Sequence, residues 1–282
     1  MNTRCFLAAA ALALPAASPA VSETPLERGA YLVQTIAACG NCHTPIGEAG
    51  FEADKELAGR MVIEFPEFTA FAPNITPAGR VAGWSDDELK RAIREGLRPD
   101  GSLIGPPMPI PLYRDLSDSD LDAIVAYVRS LPAVANEVPP SEYRIPLPPD
   151  YGPPVGSVPE VPRGVTVEYG AYLAGPVAHC IECHTPMGPE GHPDFEHRLA
   201  AGGFEFPGPW GVSVSANLTP HEDGIARWTD DELIHMITTG TRPDGSPMAP
   251  PMGFSFYAGI HEDDLRAIIL YLRSLPPLPS GQ

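Results

Sequence analysis

The chain has 282 residues, a formal net charge of −18 and 43% hydrophobic residues, enough to bury cores across about two ordinary domains. That acidity excludes nucleic acid and anionic membrane surfaces as natural partners, and leaves room for a partner with a basic docking face. The 36 prolines point to extended loops and linkers rather than long sheets.

At the N-terminus, Arg4 precedes an apolar run from Phe6 to Leu14 and the small-residue site Ser18-Pro19-Ala20. This reads as a cleaved signal peptide over residues 1–22, which places the mature chain in the periplasm. The run is too short to span a bilayer and no later stretch is long and apolar enough, so no transmembrane segment is expected in the mature chain. Cys5 falls within the signal, and four cysteines remain.

The rest of the chain reads as a duplication. Each copy opens on a short helix, Glu27-Arg28-Gly29-Ala30-Tyr31-Leu32 or Glu168-Tyr169-Gly170-Ala171-Tyr172-Leu173, where Gly29 and Gly170 allow another backbone to cross closely. Next come Cys39-Gly40-Asn41-Cys42-His43 and Cys180-Ile181-Glu182-Cys183-His184. An irregular Gly- and Pro-rich region follows, with Asn74-Ile75-Thr76-Pro77 in one copy and Asn217-Leu218-Thr219-Pro220 in the other. Trp84-Ser85-Asp86-Asp87-Glu88-Leu89 and Trp228-Thr229-Asp230-Asp231-Glu232-Leu233 carry capping boxes that start a second helix, which stops near Gly96 or Gly240. The identical turns Arg98-Pro99-Asp100-Gly101-Ser102 and Arg242-Pro243-Asp244-Gly245-Ser246 lead into Pro-Pro-Met loops ending at Met108 and Met252. A last amphipathic helix carries Leu121, Ile124, Val125 and Val128, or Leu265, Ile268, Ile269 and Leu272. It ends at Arg-Ser-Leu-Pro, and Tyr127 and Tyr271 are expected to pack near Gly29 and Gly170.

Cys-x-x-Cys-His is the attachment pattern of a c-type haem. Thiols at i and i+3 lie on one side of a helical turn and reach the two vinyl groups of one porphyrin, and the histidine presents its imidazole to the iron. Four cysteines, all in these motifs, fit four thioether bonds. The reading is two covalently bound haem c groups held by Cys39, Cys42, Cys180 and Cys183, with His43 and His184 as axial ligands. Zinc or thiol chemistry is the alternative use of Cys-x-x-Cys.

With these segments together, the chain resembles a dihaem cytochrome c of two tandem class I cytochrome c domains, over essentially all of the mature sequence. It is similar to the cytochrome subunits that serve periplasmic dehydrogenases. The resemblance implies an all-α fold: domain 1 over residues 23–132, a Pro-rich linker over 133–162 lying on one or both domains, and domain 2 over 163–282. It also implies a loop methionine as sixth ligand. In the first copy the candidates are Met108, where the family places its ligand, and Met61, which has no counterpart and reads as core filling. In the second they are Met252 and Met248. Ungapped alignment of the Arg-Pro-Asp-Gly-Ser turns sets Met252 against Met108 and Met248 against Ile104. Met187 reads as packing. Trp84, Trp228, Asn74 and Asn217 are candidates for haem propionate contacts, with core filling and turn formation as the alternative. His179 stands directly before a haem motif.

The resulting expectation is an electron-transfer protein rather than an enzyme. It would take electrons from a periplasmic dehydrogenase and pass them to a cytochrome or terminal oxidase. The alternative is a dihaem enzyme of the bacterial cytochrome c peroxidase type, which needs one open sixth position and acid–base groups over it. A Pro-Pro-Met loop in each copy argues against that division of labour.

Overall fold

The computed structural model describes residues 23–189 and 191–281; the expected signal peptide lies outside them. The first half opens with α1 (Pro25–Tyr31), whose Thr24 and Glu27 form a capping box. A π-helical turn, Leu32–Ile36, follows directly and is closed by Ala37 N donating to Leu32 O at 2.9 Å. Then come α2 (Cys39–His43) and the short strands β1 (Ile46–Gly47) and β2 (Gly50–Phe51). The hairpin β3 (Arg60–Glu64) and β4 (Phe68–Ala72) precedes α3 (Asp86–Glu95), α4 (Ile110–Tyr113) and α5 (Asp118–Ser130). The connecting segment contributes β5 (Glu142–Tyr143). The second half repeats the plan: α6 (Val167–Tyr172), the π-helical turn Leu173–Val177, α7 (Cys180–Cys183), β6 (Glu205–Gly208), β7 (Gly211–Val214), α8 (Asp230–Thr239), α9 (Phe254–Tyr257) and α10 (Glu262–Ser274).

The all-α expectation is corrected here. Three small antiparallel sheets occur among the described residues, ordered β1-β2, β3-β4-β5 and β6-β7. Arg60–Glu64 and Phe68–Ala72 are rich in β-branched and aromatic residues on either side of Phe65-Pro66-Glu67. That is a hairpin signal, which the all-helical resemblance overrode. Two methionines move with the correction: Met61 stands half exposed on β3 rather than filling the core, and Met187 is similarly exposed.

Close helix crossings hold each half. A Cβ on Gly29 would sit 1.9 Å from Ala123 O in α5, and one on Gly170 would sit 1.9 Å from Ala267 O in α10. Tyr127 and Tyr271 abut the same two glycines. Any side chain there would push the helices apart, so glycine is obligatory. The buried hydrophobic cluster runs without a break from Leu32, Ile36 and Leu121 to Leu173, Val177 and Ile269, across both halves.

An approximate two-fold relation governs the interface. Tyr31 donates to Asp264 Oδ2 at 2.6 Å, and Tyr172 donates to Asp120 Oδ2 at 2.7 Å. Each phenol oxygen also accepts a backbone N–H, from His261 at 3.2 Å and Ser117 at 3.3 Å. One pair of positions breaks the symmetry. Arg28 binds Asp120 at 2.7 and 3.0 Å and reaches Tyr169 at 3.4 Å, where Tyr169 occupies Arg28's place in the second copy. The connecting segment lies on the first half. Asn136 donates to Ala58 O and Gly59 O, Tyr143 to Pro106 O and Tyr151 to Ile104 O. Among the described residues no helix is long and apolar enough to cross a membrane.

Candidate haem-binding centres

In both copies the π-helical turn delivers the chain to a residue in left-handed conformation, Ala38 at φ 46° and His179 at φ 44°. This conformation disfavours an L side chain by roughly 1–2 kcal/mol. It turns the backbone sharply into α2 or α7, so that the two cysteines and the histidine share one short helix. All four thiols are free and partly buried. Burial pushes Cys39 up to about 12 and Cys180 up to about 11, and it raises Cys42 and Cys183 in the same way. The thiols therefore stand protonated in apolar surroundings.

The histidines are fixed identically. His43 Nδ1 lies 2.9 Å from Pro73 O, and His184 Nδ1 lies 2.7 Å from Ala216 O. A carbonyl accepts, so Nδ1 carries the proton and Nε2 keeps its lone pair for a metal. Burial lowers both imidazole pKa values, which further favours the neutral ring. Each carbonyl immediately precedes an Asn-x-Thr-Pro segment. Asn74 Oδ1 accepts from Thr76 N and Oγ1, while Nδ2 donates to Val134 O at 2.7 Å and Asn136 O at 3.3 Å. Asn217 does the same with Thr219 and Leu278 O. The asparagines thus clamp the segment that positions the histidine carbonyl. The sequence shows Thr-Pro after each motif, Thr44-Pro45 and Thr185-Pro186, but no role for the threonine was read from it. Thr44 Oγ1 accepts from Leu57 N, and Thr185 Oγ1 from Ala200 N, both at left-handed residues. The repeated Thr-Pro was the available signal.

Paired backbone bonds show which loop residues correspond. Ile104 N donates to Gly96 O as Met248 N donates to Gly240 O, and Ile110 N to Met108 O as Phe254 N to Met252 O. Pro106-Pro107 and Pro250-Pro251 are both cis. Met252 is therefore the structural counterpart of Met108, and Met248 that of Ile104. Both Met108 and Met248 pack against the core.

Trp84 and Trp228 also pack against the core. Arg129 donates to the carbonyls of Val81 and Trp84, and Arg273 to that of Trp228. Neither indole N–H has a protein partner among the described residues. Trp84 lines a cavity of about 530 Å³ together with Arg80 and Arg98. Burial first, and the Arg80 guanidinium second, lower the pKa of Arg98. The two guanidiniums give the cavity a positive side, opposed in part by Asp100, which also lines it. Arg98 lies in the repeated Arg-Pro-Asp-Gly-Ser turn, where sequence reading saw only turn chemistry. The second half lacks this pair: Arg227 instead stacks 4.9 Å over Trp228.

Both motif helices lie at the interface, beside residues of the opposite half. Burial first, and nearby Glu182 after it, raise Cys42, and Cys42 adds to the rise at Cys183. Glu182, buried there, is pushed up to about 7. Gly40 is closed by Phe256, Phe256 packs edge-on against Phe51 at 4.9 Å, and His179 meets Tyr113 at 6.0 Å. Burial lowers His179 to about 4.

Residues 24–128 match the family described as cytochrome c oxidase, cbb3-type, subunit III. The chain resembles c-type cytochromes. It is similar to the cytochrome c subunit of the quinone alcohol dehydrogenase of Gluconobacter oxydans, 30% identical over 285 residues, covering 92% of this chain and 56% of that protein. A nicotinate dehydrogenase subunit of Pseudomonas putida is 30% identical over 277 residues, covering 92% of this chain and 22% of its own length. A dihaem c-type cytochrome of Cereibacter sphaeroides is 28% identical over 257 residues, covering 85% and 82%. The chain thus spans well under two thirds of those two dehydrogenase subunits.

Proposed function

We propose that this protein is a periplasmic dihaem electron-transfer cytochrome. In this reading it takes electrons from a dehydrogenase and passes them to a downstream respiratory acceptor, a cytochrome or terminal oxidase. Residues 23–132 and 163–282 form the two haem domains, and the segment between them is strapped to the first. Cys39 and Cys42 hold one haem c and Cys180 and Cys183 the other. His43 and Met108 are axial ligands in the first site, and His184 and Met252 in the second.

When bound, haem supplies a one-electron couple whose potential a thioether ligand raises relative to a second histidine. The chain's own residues do the rest. Pro73 O and Ala216 O orient the imidazoles and fix their tautomer. Arg80, Arg98 and Trp84 offer positive charge and an N–H to the propionates of the first site. The position of both motif helices at the interface supports exchange of electrons within the molecule.

The observation that carries the reading is the identical set-up of both halves: free thiols, a histidine tied by Nδ1 to a carbonyl, and a Pro-Pro-Met loop in the same register. Pyridine haemochrome analysis and mass spectrometry of acid-denatured protein test it and should give two covalent haems per chain. One haem, or haem extractable with acidified ketone, would overturn it. Rapid cyanide binding with peroxide turnover by the unmodified protein would replace the carrier with a peroxidase-type enzyme.

A further inference from the structure

The two sites share a backbone plan but not a charge. Gly59 N donates to His43 O at 2.5 Å and Gly202 N to His184 O at 2.7 Å, so the residues that follow, Arg60 and Gly203, correspond. The first site therefore has a guanidinium where the second has no side chain.

Arg60 opens β3, which lies against α2. Its Nη2 donates to Asn41 O at 2.5 Å, a carbonyl between the two cysteines of the first motif, and its Nη1 donates to Met61 O at 2.7 Å. Nε is buried without a hydrogen-bond partner, and among the described residues no carboxylate pairs with the side chain. A positive charge is thus held at the motif, partly out of water and unneutralised. Burial raises Cys42, and Arg60 offsets that rise by more than nearby Glu182 adds to it. At His43 burial lowers the ring first, the bond to Pro73 O opposes it, and Arg60 lowers it further. In the second motif Glu182 takes the place of Asn41, and after burial it is Glu182 that raises Cys183 most. An arginine stays protonated at ordinary pH, so the charge of Arg60 is permanent.

We propose that Arg60 sets the two haems apart in potential and makes the first the stronger electron acceptor, so that an electron entering at the second site passes to the first. The inference rests on the dihaem reading above. Ferric haem carries one more positive charge than ferrous haem. A neighbouring cation in a medium less polar than water disfavours the oxidised state and raises the potential. In the transfer the second iron goes from ferrous to ferric and the first from ferric to ferrous, with no proton or further reactant. Asn41 Nδ2 donates to Pro251 O at 3.3 Å, next to Met252. The residue that Arg60 holds therefore also joins the first motif to the methionine loop of the second site.

Optical redox titration of the full-length holoprotein should resolve two one-electron components. Arg60→Gln should lower only the upper midpoint and reduce the equilibrium preference between the haems at least tenfold, about 59 mV for a one-electron couple. Arg60→Lys keeps the charge and should restore most of the gap. Stepwise reduction of the unmodified protein, followed by amide NMR, assigns the haems without any substitution. Paramagnetic shifts should leave residues 39–43 before they leave residues 180–184. The reverse order, an unmoved upper midpoint in Arg60→Gln, an equal shift of both midpoints, or a lysine variant no different from the glutamine one each overturns the proposal. Pyridine haemochrome showing one haem per chain fails the dihaem reading, and the proposal with it; two haems with any of the other outcomes overturn the proposal alone.

Discussion

Met108 and Met252 carry the sharpest residue-scale expectations. A thioether on ferric haem gives a weak near-red charge-transfer band. Met108→Ala should remove it for one haem, lower that haem's potential and open the iron to added ligands. Met252→Ala should do the same for the other haem, and Met248→Ala should leave both spectra nearly unchanged, because Met248 stands where the first half has Ile104. Loss of the second band in Met248→Ala would refute the assignment. The interface tyrosines are a second case. Burial first, then the bonded carboxylate, raise the pKa values of Tyr31 and Tyr172. A phenol whose folded pKa exceeds its unfolded value of about 10 contributes stability that is complete below that pH and is lost as pH rises above it. Denaturant midpoints should therefore fall above about pH 10, and the fall should be shallower in Tyr31→Phe. That variant also leaves Asp264, 9% exposed, without its phenol donor, at a cost of about 1–3 kcal/mol at neutral pH.

Among the elements, the crossing of the opening and closing helices of each half is the least tolerant. Gly29→Ala or Gly170→Ala places a methyl group 1.9 Å from a carbonyl oxygen of the facing helix. Overpacking of this kind costs about 3 kcal/mol, seen as a lowered denaturant midpoint. The capped helices α3 and α8 should respond more mildly. Ser85→Ala removes the acceptor for Glu88 N and should cost about 1 kcal/mol in the same measurement.

For the whole molecule, the shared cluster and the Tyr–Asp pairs tie the halves together. A chain from about Val161 onward, secreted with a signal peptide, should fold round a single haem, since it keeps its own α6–α10 crossing and methionine loop. It should melt at least about 10 °C below the full chain, because separation uncovers Tyr169, Tyr172 and Leu173 and removes the Arg28–Asp120 side of the interface. Equal melting temperatures would show that the interface contributes nothing to stability.

Much of this was legible before folding. The Cys-x-x-Cys-His motifs, the capping boxes at Ser85 and Thr229, the crossing glycines and the correspondence of Met108 with Met252 are local patterns or repeats. Their geometry follows from helical periodicity and from the steric limits of single residues. The sheets were missed because hairpins as short as β3–β4 and β6–β7 offer little alternation to set against a resemblance to helical proteins. The carbonyls behind His43 and His184, the Arg80–Arg98 cavity and the approach of Glu182 to Cys42 were not legible at all. They depend on groups some 20 to 140 residues apart in the chain. Such approaches leave no period in sequence, because they are set by how packed helices bring distant loops together.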